Sequence, residues 1–302
     1  MNLADFLLGN RLRPVDWGDC QKPACRPADK GPRRDFYYLV DDHVHVENYA
    51  EDFGLQWTEL YDDYRHDRFK HLDQFMRLGV HPSSLRGKTC LDVGCGLGRL
   101  SEICLGSADV VFGVDLSEAV TEAARLITTP SFVPIRGSGD GIPLVDESID
   151  FVFCWGVLHH TKDPAATLRD LWRVVKPGGT LAIWVYAKNK IFLKRSLLAH
   201  YFSHLDEQEM LDVADVLADT AHALQLTSPA YLNMFTSDLN FSVKNTKQYT
   251  RHISYDGLGP DFHYLLDRQW FESQVKTFND LQNIEFIRTQ DTAVKLQKKP
   301  NP

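Results

Sequence analysis

Three glycines separated by single residues form the first pattern in this chain that could do chemistry. They are Gly94, Gly96 and Gly98, with Cys95 inside the pattern, and they follow the short apolar run Thr89–Val93. Glycine lets the backbone approach a ligand closely and adopt conformations that a side chain would forbid. Where such a turn leads from a strand into a helix, free N–H groups at the helix start favour an anionic group. The pattern therefore predicts a ligand-binding turn at the end of a strand.

Two acidic residues lie at defined distances from these glycines. Asp92 precedes Gly94 by two residues, and Asp115 ends the next apolar run, 21 residues after Gly94. In nucleotide-binding α/β sheets, an acid at that place holds the ribose hydroxyls. Asp92 would repel a pyrophosphate but would suit an ammonium group. S-adenosylmethionine (SAM) has an ammonium, a carboxylate, a ribose and an adenine but no phosphate, so the pattern favours SAM over NAD.

Several motifs, in the right order, resemble those of the class I SAM-dependent methyltransferases. Residues 92–98, Asp-Val-Gly-Cys-Gly-Leu-Gly, are similar to the first motif of that family, and residues 114–117, Val-Asp-Leu-Ser, to its ribose motif. Residues 142–152, 156–164 and 173–179 are similar to its LPF…SFDxV, vLHHxxDP and RvLKPGG segments. The resemblance covers about residues 88–187, and the end of the chain in pattern only. It implies a Rossmann-like fold, methyl transfer as the activity and SAM as the cofactor.

The resemblance also implies which residues bind the cofactor. They are Asp92, Gly94, Cys95, Gly96, Gly98, Asp115, Leu116, Ser138, Gly139, Asp140, Cys154 and Trp155. Asp92 and the glycine backbone would hold the methionine part, Asp115 the ribose, and Leu116 would pack on the adenine. Cys154 and Trp155 end the fourth strand and would face the ligand crevice, although Trp155 is equally compatible with a plain core position.

One position departs from the family pattern. Members usually have an acid near the adenine amine, five residues before the proline of LPF, and this chain has Ser138 there. Either Ser138 makes the adenine contact, or Asp140 replaces the acid from two residues further on. An aspartate among glycines is also an ordinary turn residue, so both alternatives stay open.

His159 and His160 are the candidates for catalysis, because they follow the fourth strand, where an acceptor should arrive. Histidine has an ordinary pKa of about 6.5 and suits a general base near neutral pH. A base is needed for a phenol, hydroxyl or amide acceptor and less so for a thiolate or enolate. The alternative is that one ring only fixes the loop. No metal is expected, because Cys20 and Cys25 lack further ligands at zinc spacing.

Short apolar runs alternate with helical patterns from residue 89 onward. The predicted strands are Thr89–Val93, Val110–Asp115, Phe132–Arg136, Ile149–Trp155, Thr180–Tyr186, Ile284–Thr289 and Thr292–Leu296, and the helices are Gly98–Leu105, Ser117–Ile127, Pro164–Val174, Lys190–His204, Asp206–Leu224 and Asp267–Phe278. This alternation predicts an α/β fold with a seven-stranded, mostly parallel Rossmann-like sheet and helices on both faces.

Four segments are expected along the chain. Residues 1–87 form an N-terminal arm and an aromatic helical segment, and residues 88–187 form the SAM-binding core. Residues 188–266 form an inserted helical cap that encloses the substrate, and residues 267–302 form the last helix and a β-hairpin of the core sheet. The arm up to residue 40 is expected to be loop. The aromatic residues Tyr49, Phe53, Trp57 and Tyr61 either pack on the core or line a substrate pocket.

Composition narrows the class of partner. The net charge of −8 argues against a globally basic nucleic-acid binder, although residues 11–34 carry a local charge of +4. No apolar run approaches the roughly 18 residues that a membrane span needs, and no secretory signal is evident. Cysteines within apolar runs indicate reduced thiols and a cytoplasmic protein.

The function expected from these patterns is methyl transfer to a small-molecule acceptor, either a specialised metabolite or a sugar precursor. One alternative is a tRNA-modifying methyltransferase, since similar GVLHH turns occur in tRNA uridine modifiers. Another is a protein of this fold that uses SAM without methyl transfer. A homodimer is compatible with the sequence, which does not name the acceptor.

Overall fold

A computed structural model describes the parts of the chain on which the following account rests. They are residues 14–16, 21–23, 26–27, 37–38, 68–142, 144–186, 204–205, 207–224, 264–288 and 292–301. The strands are β1 (Pro14–Asp16), β2 (Gln21–Pro23), β3 (Arg26–Pro27), β4 (Tyr37–Tyr38), β5 (Thr89–Val93), β6 (Val110–Asp115), β7 (Phe132–Arg136), β8 (Ile149–Trp155), β9 (Val175–Val185), β10 (Leu281–Arg288) and β11 (Thr292–Lys298). The helices are α1 (Arg68–Met76), α2 (Arg99–Leu105), α3 (Ala119–Leu126), α4 (Pro164–Val174), α5 (Glu207–Leu224) and α6 (Arg268–Gln274).

Strands β3 to β11 form one mixed sheet in the order β10-β11-β9-β8-β5-β6-β7-β4-β3. The pairs from β9 through β8, β5 and β6 to β7 are all parallel, and β11 runs antiparallel to both of its neighbours. The seven predicted strands are therefore present in a mostly parallel sheet, closed at one edge by the predicted β10–β11 hairpin. Because β5 is central, the turn that follows it lies in the middle of the carboxyl edge.

Helices cover both faces of this sheet, as predicted. Alternate residues of a strand point to opposite faces, so Cys90 and Leu91 belong to different hydrophobic clusters. On one face Phe75 of α1 packs with Phe151 and Phe153 in edge-on contacts. On the other face Leu168 of α4 and Phe271 of α6 pack with the strands. Because helices cover both faces of the sheet, a ligand-binding site can form only at the sheet edges and in the loops.

The N-terminal arm differs from its prediction. Residues 1–40 are expected to be loop, yet β4 pairs parallel with β7, and β3 pairs antiparallel with β4. A segment that pairs with the edge of a sheet satisfies the backbone N–H and C=O groups of the edge strand. Such pairing uses backbone groups only, so the segment needs no periodic pattern of side chains. β1 and β2 also pair with each other in a separate antiparallel sheet. The prediction of loop is therefore wrong for residues 14–16, 21–23, 26–27 and 37–38.

The observed element boundaries agree closely with the predicted ones where the sequence has clear helix-capping or helix-stopping residues. Asp163 caps α4 by accepting hydrogen bonds from the N–H groups of Ala165 and Ala166, both at 2.9 Å, and Pro164 begins the helix. β9 starts at Val175, five residues before the predicted Thr180, because Val175 pairs with Ile149 across an irregularity in the β8–β9 ladder.

Part of the predicted cap and N-terminal helix lies outside the described residues. Within the cap, α5 confirms a predicted helix, whereas Lys190–His204 falls almost entirely outside the described residues. The aromatic residues 49, 53, 57 and 61 fall outside them as well. In the described ranges, no helix is long and apolar enough to cross a membrane.

Candidate active site

The glycine turn after β5 has a backbone shape that side chains would not allow. Gly94, Gly96 and Gly98 have φ angles of 75°, 52° and 79°, in the left-handed region. A Cβ on Gly94 would collide with both γ-methyls of Val157, and one on Gly98 would collide with Ile127 Cδ1. The glycines are therefore required both by conformation and by close packing. Gly94 and Gly98 bring the turn into close contact with Val157 after β8 and with Ile127 at the end of α3.

The N–H groups of the turn are used mainly inside the protein. Those of Gly94 and Cys95 donate to the carbonyl of Val114 at 2.8 and 3.1 Å, and that of Gly98 donates to the carbonyl of Cys95 at 2.8 Å. The N–H of Gly96 donates to Asp115 Oδ2 at 2.7 Å. The N–H groups of all three glycines therefore have acceptors inside the protein, and two of these acceptors belong to β6. An anion at the helix start remains a prediction. What the turn offers a ligand is close approach to its backbone.

Asp92 is a buried carboxylate beneath the turn, with only 2% of its surface exposed. Its Oδ2 accepts a hydrogen bond of 2.7 Å from Ser101 Oγ in α2. Burial raises the pKa of Asp92 to about 7, while the Ser101 hydrogen bond and the charge of Arg99 act in the opposite direction. A ligand ammonium near this carboxylate would favour its ionised form, which is the property expected of the group that binds the methionine part.

Asp115 ends β6 and connects the two motifs of the site. Its Oδ1 accepts from the N–H of Ser117 at 2.9 Å and from Ser117 Oγ at 2.7 Å, and its Oδ2 accepts from Gly96. Burial raises the pKa of Asp115, and these hydrogen bonds act against that rise. By this count Oδ1 accepts two hydrogen bonds and Oδ2 one, so Oδ2 keeps an acceptor site for a hydroxyl group. Leu116, the predicted adenine contact, is half-buried directly after it.

The loop after β7 brings the two adenine candidates together. Ser138 Oγ donates a hydrogen bond to Asp140 Oδ1, and Gly139 between them approaches the end of β5. A Cβ on Gly139 would lie 3.1 Å from Val93 Cγ1. The geometry does not choose between Ser138 and Asp140, because the two side chains form one bonded pair at the carboxyl edge.

The cysteines predicted at the site are core residues. Cys154 is fully buried, and burial raises the pKa of its thiol to about 12, so it is neutral at ordinary pH. Cys95 is also buried, and burial raises its pKa as well. Both are free thiols, as are Cys90 and Cys104. Their side chains act in packing, and Cys95 contributes to the turn through its backbone.

The two histidines lie in a short helical turn, Leu158–His160, directly after β8. Both are buried, and their ring centroids are 4.0 Å apart. The ring of Tyr186, just beyond β9, lies edge-on 5.0 Å from His159 and 6.5 Å from His160. The carbonyl of His159 accepts from the N–H of Tyr264 at 3.0 Å, which fixes this turn to the last residues of the predicted cap.

Several residues at the site were not singled out by the sequence analysis. Ser101 and Ser117 hold the two carboxylates, and Trp184 and Tyr186 add aromatic rings at the end of β9. A usable signal existed for the aromatic pair, because β9 follows β8 in a parallel arrangement and its carboxyl end must reach the same edge. Trp155, placed at the crevice by the sequence, stacks on Trp184.

Within the described ranges, no group of three or more His, Cys, Asp or Glu side chains could hold a metal ion. The cysteines considered for zinc, Cys20 and Cys25, lie outside those ranges. The described part of the site therefore consists of carboxylates, backbone, hydroxyls and aromatic rings.

Comparisons with known proteins show what this chain is similar to. A family model described as a methyltransferase domain matches residues 91–183. The chain is 32% identical over 173 residues to a ubiquinone biosynthesis O-methyltransferase of Pseudomonas paraeruginosa, covering 54% of this chain and 72% of the relative. The protein of the same name from Pseudomonas fluorescens is 31% identical over 176 residues, covering 54% of this chain and 72% of the relative.

Two solved structures are similar at low sequence identity. One is a complex of the Haloferax volcanii Trm112 methyltransferase activator with a methyltransferase, 19% identical, with a TM-score of 0.47, covering 83% of this chain and 99% of the other. The second is magnesium protoporphyrin IX methyltransferase of Synechocystis PCC 6803 with bound S-adenosylhomocysteine, 15% identical, with a TM-score of 0.45, covering 84% and 98%.

Proposed function

Because this chain belongs to the class I SAM-dependent methyltransferases, we propose that it methylates a small-molecule acceptor, with a specialised metabolite or a sugar precursor as the class. The observation that carries the proposal is the contact between Gly94 and Val157, which sets the histidine turn directly beside the cofactor turn. An acceptor held at His159 and His160 would therefore lie next to the methionine end of the cofactor. The relatives named for ubiquinone biosynthesis support a small-molecule acceptor, and the net charge of −8 disfavours nucleic acid.

The described residues offer charged and hydrogen-bonding groups that suit the parts of SAM. Asp92 would bind the ammonium, Asp115 the ribose hydroxyls, and the Ser138–Asp140 pair the adenine amine. Leu116 would pack against the adenine. SAM itself supplies a methyl group that is already activated on a sulfonium sulfur. When the methyl group is transferred, the rest of the cofactor leaves as a neutral thioether, S-adenosylhomocysteine. The protein therefore has to orient the acceptor, exclude water and, for some acceptors, remove a proton.

His160 is the proposed base for an acceptor hydroxyl. It takes the proton from the oxygen as that oxygen gives its electron pair to the methyl carbon, so charge does not accumulate on the acceptor. His159 has the second claim to this role. Its carbonyl is held by the N–H of Tyr264 and its ring lies between His160 and Tyr186, so it also orients its neighbour.

The inserted segment 188–266 is proposed to enclose the acceptor. In the described residues, Tyr264 supports this idea, because it lies at the end of the segment and bonds to the histidine turn. Its hydroxyl also donates to the carbonyl of Lys162 at 3.3 Å. Three further predictions stay as they were made from the sequence. They are that Trp155 contacts the cofactor, that the protein forms a homodimer, and that it is located in the cytoplasm.

The test is product analysis with SAM carrying a labelled methyl group. Separate reactions would contain hydroxylated aromatic metabolites, nucleotide sugars or bulk tRNA, and mass spectrometry would follow both S-adenosylhomocysteine and the labelled product. We expect equal amounts of the two with a small molecule. Label found only in tRNA would replace the proposal with the tRNA alternative. No labelled product with any acceptor, despite SAM binding, would indicate a protein that uses SAM without methyl transfer.

A further inference from the structure

A row of aromatic rings crosses the carboxyl ends of β8 and β9. The rings of Trp155 and Trp184 are stacked, with centroids 4.3 Å apart and planes 4° from parallel. Tyr186 meets Trp184 edge-on at 5.1 Å, and His159 meets Tyr186 at 5.0 Å. We call Trp155, Trp184, Tyr186 and His159 the aromatic tier. Its rings contact one another in sequence, from the end of β8 to the histidine turn.

The strand register places the aromatic tier beside the cofactor turn. Val93 pairs with Cys154, Cys154 pairs with Ile183, and Trp155 pairs with Trp184. Gly94 follows Val93, so it occupies the same row as the two tryptophans, and neighbouring strands are about 4.8 Å apart. The tier therefore starts one strand away from the turn that would hold the methionine part. A sulfonium carried there would lie near aromatic faces, which attract a cation.

Trp184 has an unusual property within the tier. Its indole Nε1 is shielded from solvent and has no hydrogen-bond partner among the described residues, and only 7% of the residue is exposed. Trp172 offers a contrast, because it is about equally buried but donates from Nε1 to Asp280 Oδ1 at 2.8 Å. Buried N–H groups are nearly always paired, so an unpaired one at the carboxyl edge of the sheet is a candidate donor to a ligand.

We propose that the aromatic tier is the acceptor-binding surface and that it selects a flat, conjugated molecule carrying an oxygen that accepts from Trp184 Nε1–H. This inference rests on the proposed function and narrows its substrate class. Conjugated rings make stacked or edge-on contacts with the tier that a saturated ring, which has no π system, does not make. A site with a buried donor also discriminates strongly against analogues that lack the matching acceptor atom. Because the ligand-free protein shields Nε1, the rings must separate as the acceptor enters.

The first arm of the test compares two probes that differ in planarity. Catechol and trans-1,2-cyclohexanediol both carry adjacent hydroxyls on a six-membered ring, and only catechol is flat. Each would be titrated by calorimetry into protein saturated with S-adenosylhomocysteine, so that no turnover occurs. We expect catechol to bind between about twofold and tenfold more tightly, the range that corresponds to one aromatic contact. Equal affinities, or no measurable catechol binding, would overturn the proposal.

The second arm removes the indole N–H. In Trp184→Phe we expect catechol affinity to fall about fivefold, the size of one hydrogen bond, with S-adenosylhomocysteine affinity unchanged. Trp172→Phe is the matched control: it removes the same atoms, should lower the melting temperature, and should leave catechol affinity as in the parent. Parent-like catechol affinity in Trp184→Phe contradicts the role of Nε1. If that variant fails to fold, β-(3-benzothienyl)alanine at position 184, which keeps the ring shape without the N–H, must give the same fall.

The outcomes separate this inference from the proposed function. Catechol binding with the expected variant effects, but no labelled product from any small molecule, leaves the tier as a binding surface and removes small-molecule methylation. Methylation of a nucleotide sugar together with equal binding of the two diols retains the proposed function and removes the tier as its acceptor surface.

Discussion

The carboxylate of Asp115 accepts a 2.7 Å hydrogen bond from the backbone N–H of Gly96, which joins the acid predicted to bind the ribose to the glycine turn. The other oxygen of the same carboxylate holds Ser117 at the start of the next loop. Two motifs that are separate in the sequence are thus one bonded unit. A change in Asp115 should affect the shape of the turn as well as the ribose contact.

Asp115→Ala should weaken SAM binding by about tenfold or more, since hydrogen bonds to a charged group contribute roughly 1.5–3 kcal/mol each. Calorimetry with S-adenosylhomocysteine would measure the loss. Ser117→Ala is the graded control, because it removes only the Oγ hydrogen bond and keeps the carboxylate, so its effect should be smaller. An unchanged affinity in Asp115→Ala, or tight NAD binding by the parent, would refute the role given to this residue.

Gly94→Ala should destabilise the protein and abolish detectable SAM binding. A left-handed backbone costs a residue with a Cβ about 1–2 kcal/mol, and the new methyl would also collide with Val157, whose own Cβ would be 2.8 Å away. Urea unfolding gives the free-energy loss. Gly87→Ala separates the two causes, because Gly87 has φ 73°, yet no atom of the described residues lies within 4 Å of the place its Cβ would take.

We expect the free energy of unfolding to fall by about 1 kcal/mol in Gly87→Ala and by clearly more in Gly94→Ala. Adding Val157→Ala to Gly94→Ala should recover part of the difference, since the γ-methyls are removed while Val157 Cβ remains 2.8 Å away. Equal losses at the two glycines would mean that the turn relaxes away from Val157 at little cost.

The affinity for SAM should depend on pH through Asp92. Burial raises the pKa of this acid to about 7 in the ligand-free protein, and only the ionised carboxylate attracts the ligand ammonium. Between about pH 8 and pH 6 the ionised fraction falls about tenfold, so the affinity should fall by about that factor. Calorimetry across this range would measure it. A flat profile would place the ammonium away from Asp92.

Asp92 should also lower the stability of the ligand-free protein above neutral pH. Its folded-state pKa of about 7 exceeds the ordinary value of 3.8, so this group favours folding below about pH 4, and that contribution is lost as pH rises to about 7. Asp92→Asn should therefore raise the free energy of unfolding at about pH 8 by a few kcal/mol, as judged from ~1.4 kcal/mol per pH unit. The same variant should bind SAM poorly. A loss of stability at that pH would contradict the argument.

His160→Ala should lower the rate by about 10²–10⁴ while SAM affinity stays nearly intact, if His160 removes a proton from the acceptor. With SAM saturating, the parent rate should rise with pH through one ionisation as the neutral imidazole forms. Saturation separates this profile from the effect of Asp92 on binding. Single-turnover kinetics would measure both quantities.

If His160 only fixes the turn, the variant should instead lose melting temperature and SAM affinity together. Normal stability, normal affinity and a near-normal rate would remove His160 from both roles. His159→Ala would then be the next variant, with its ring contact to Tyr186 as the structural reason.

Local patterns in the sequence were sufficient for the core elements. β5, β6, β7 and β8 begin and end where the apolar runs do, and α4 runs between a capping aspartate and a Lys-Pro-Gly-Gly segment. Such signals are local, because burial on both faces and cap hydrogen bonds depend on neighbours within a few residues. The bends after β5 and after β6 could therefore be predicted as ligand-binding motifs without coordinates.

Contacts between distant residues were decided only by the tertiary structure. No local pattern indicates that Val157 excludes a side chain at position 94, that Gly96 donates to Asp115, or that Trp184 stacks on Trp155. The arm strands β3 and β4 belong to the same class, because edge pairing uses backbone groups that every sequence has. The sequence by itself thus determined the fold class, the cofactor and the candidate residues. The parallel register of the sheet determined which of them meet, because it brings strand ends that are far apart in the chain to one edge.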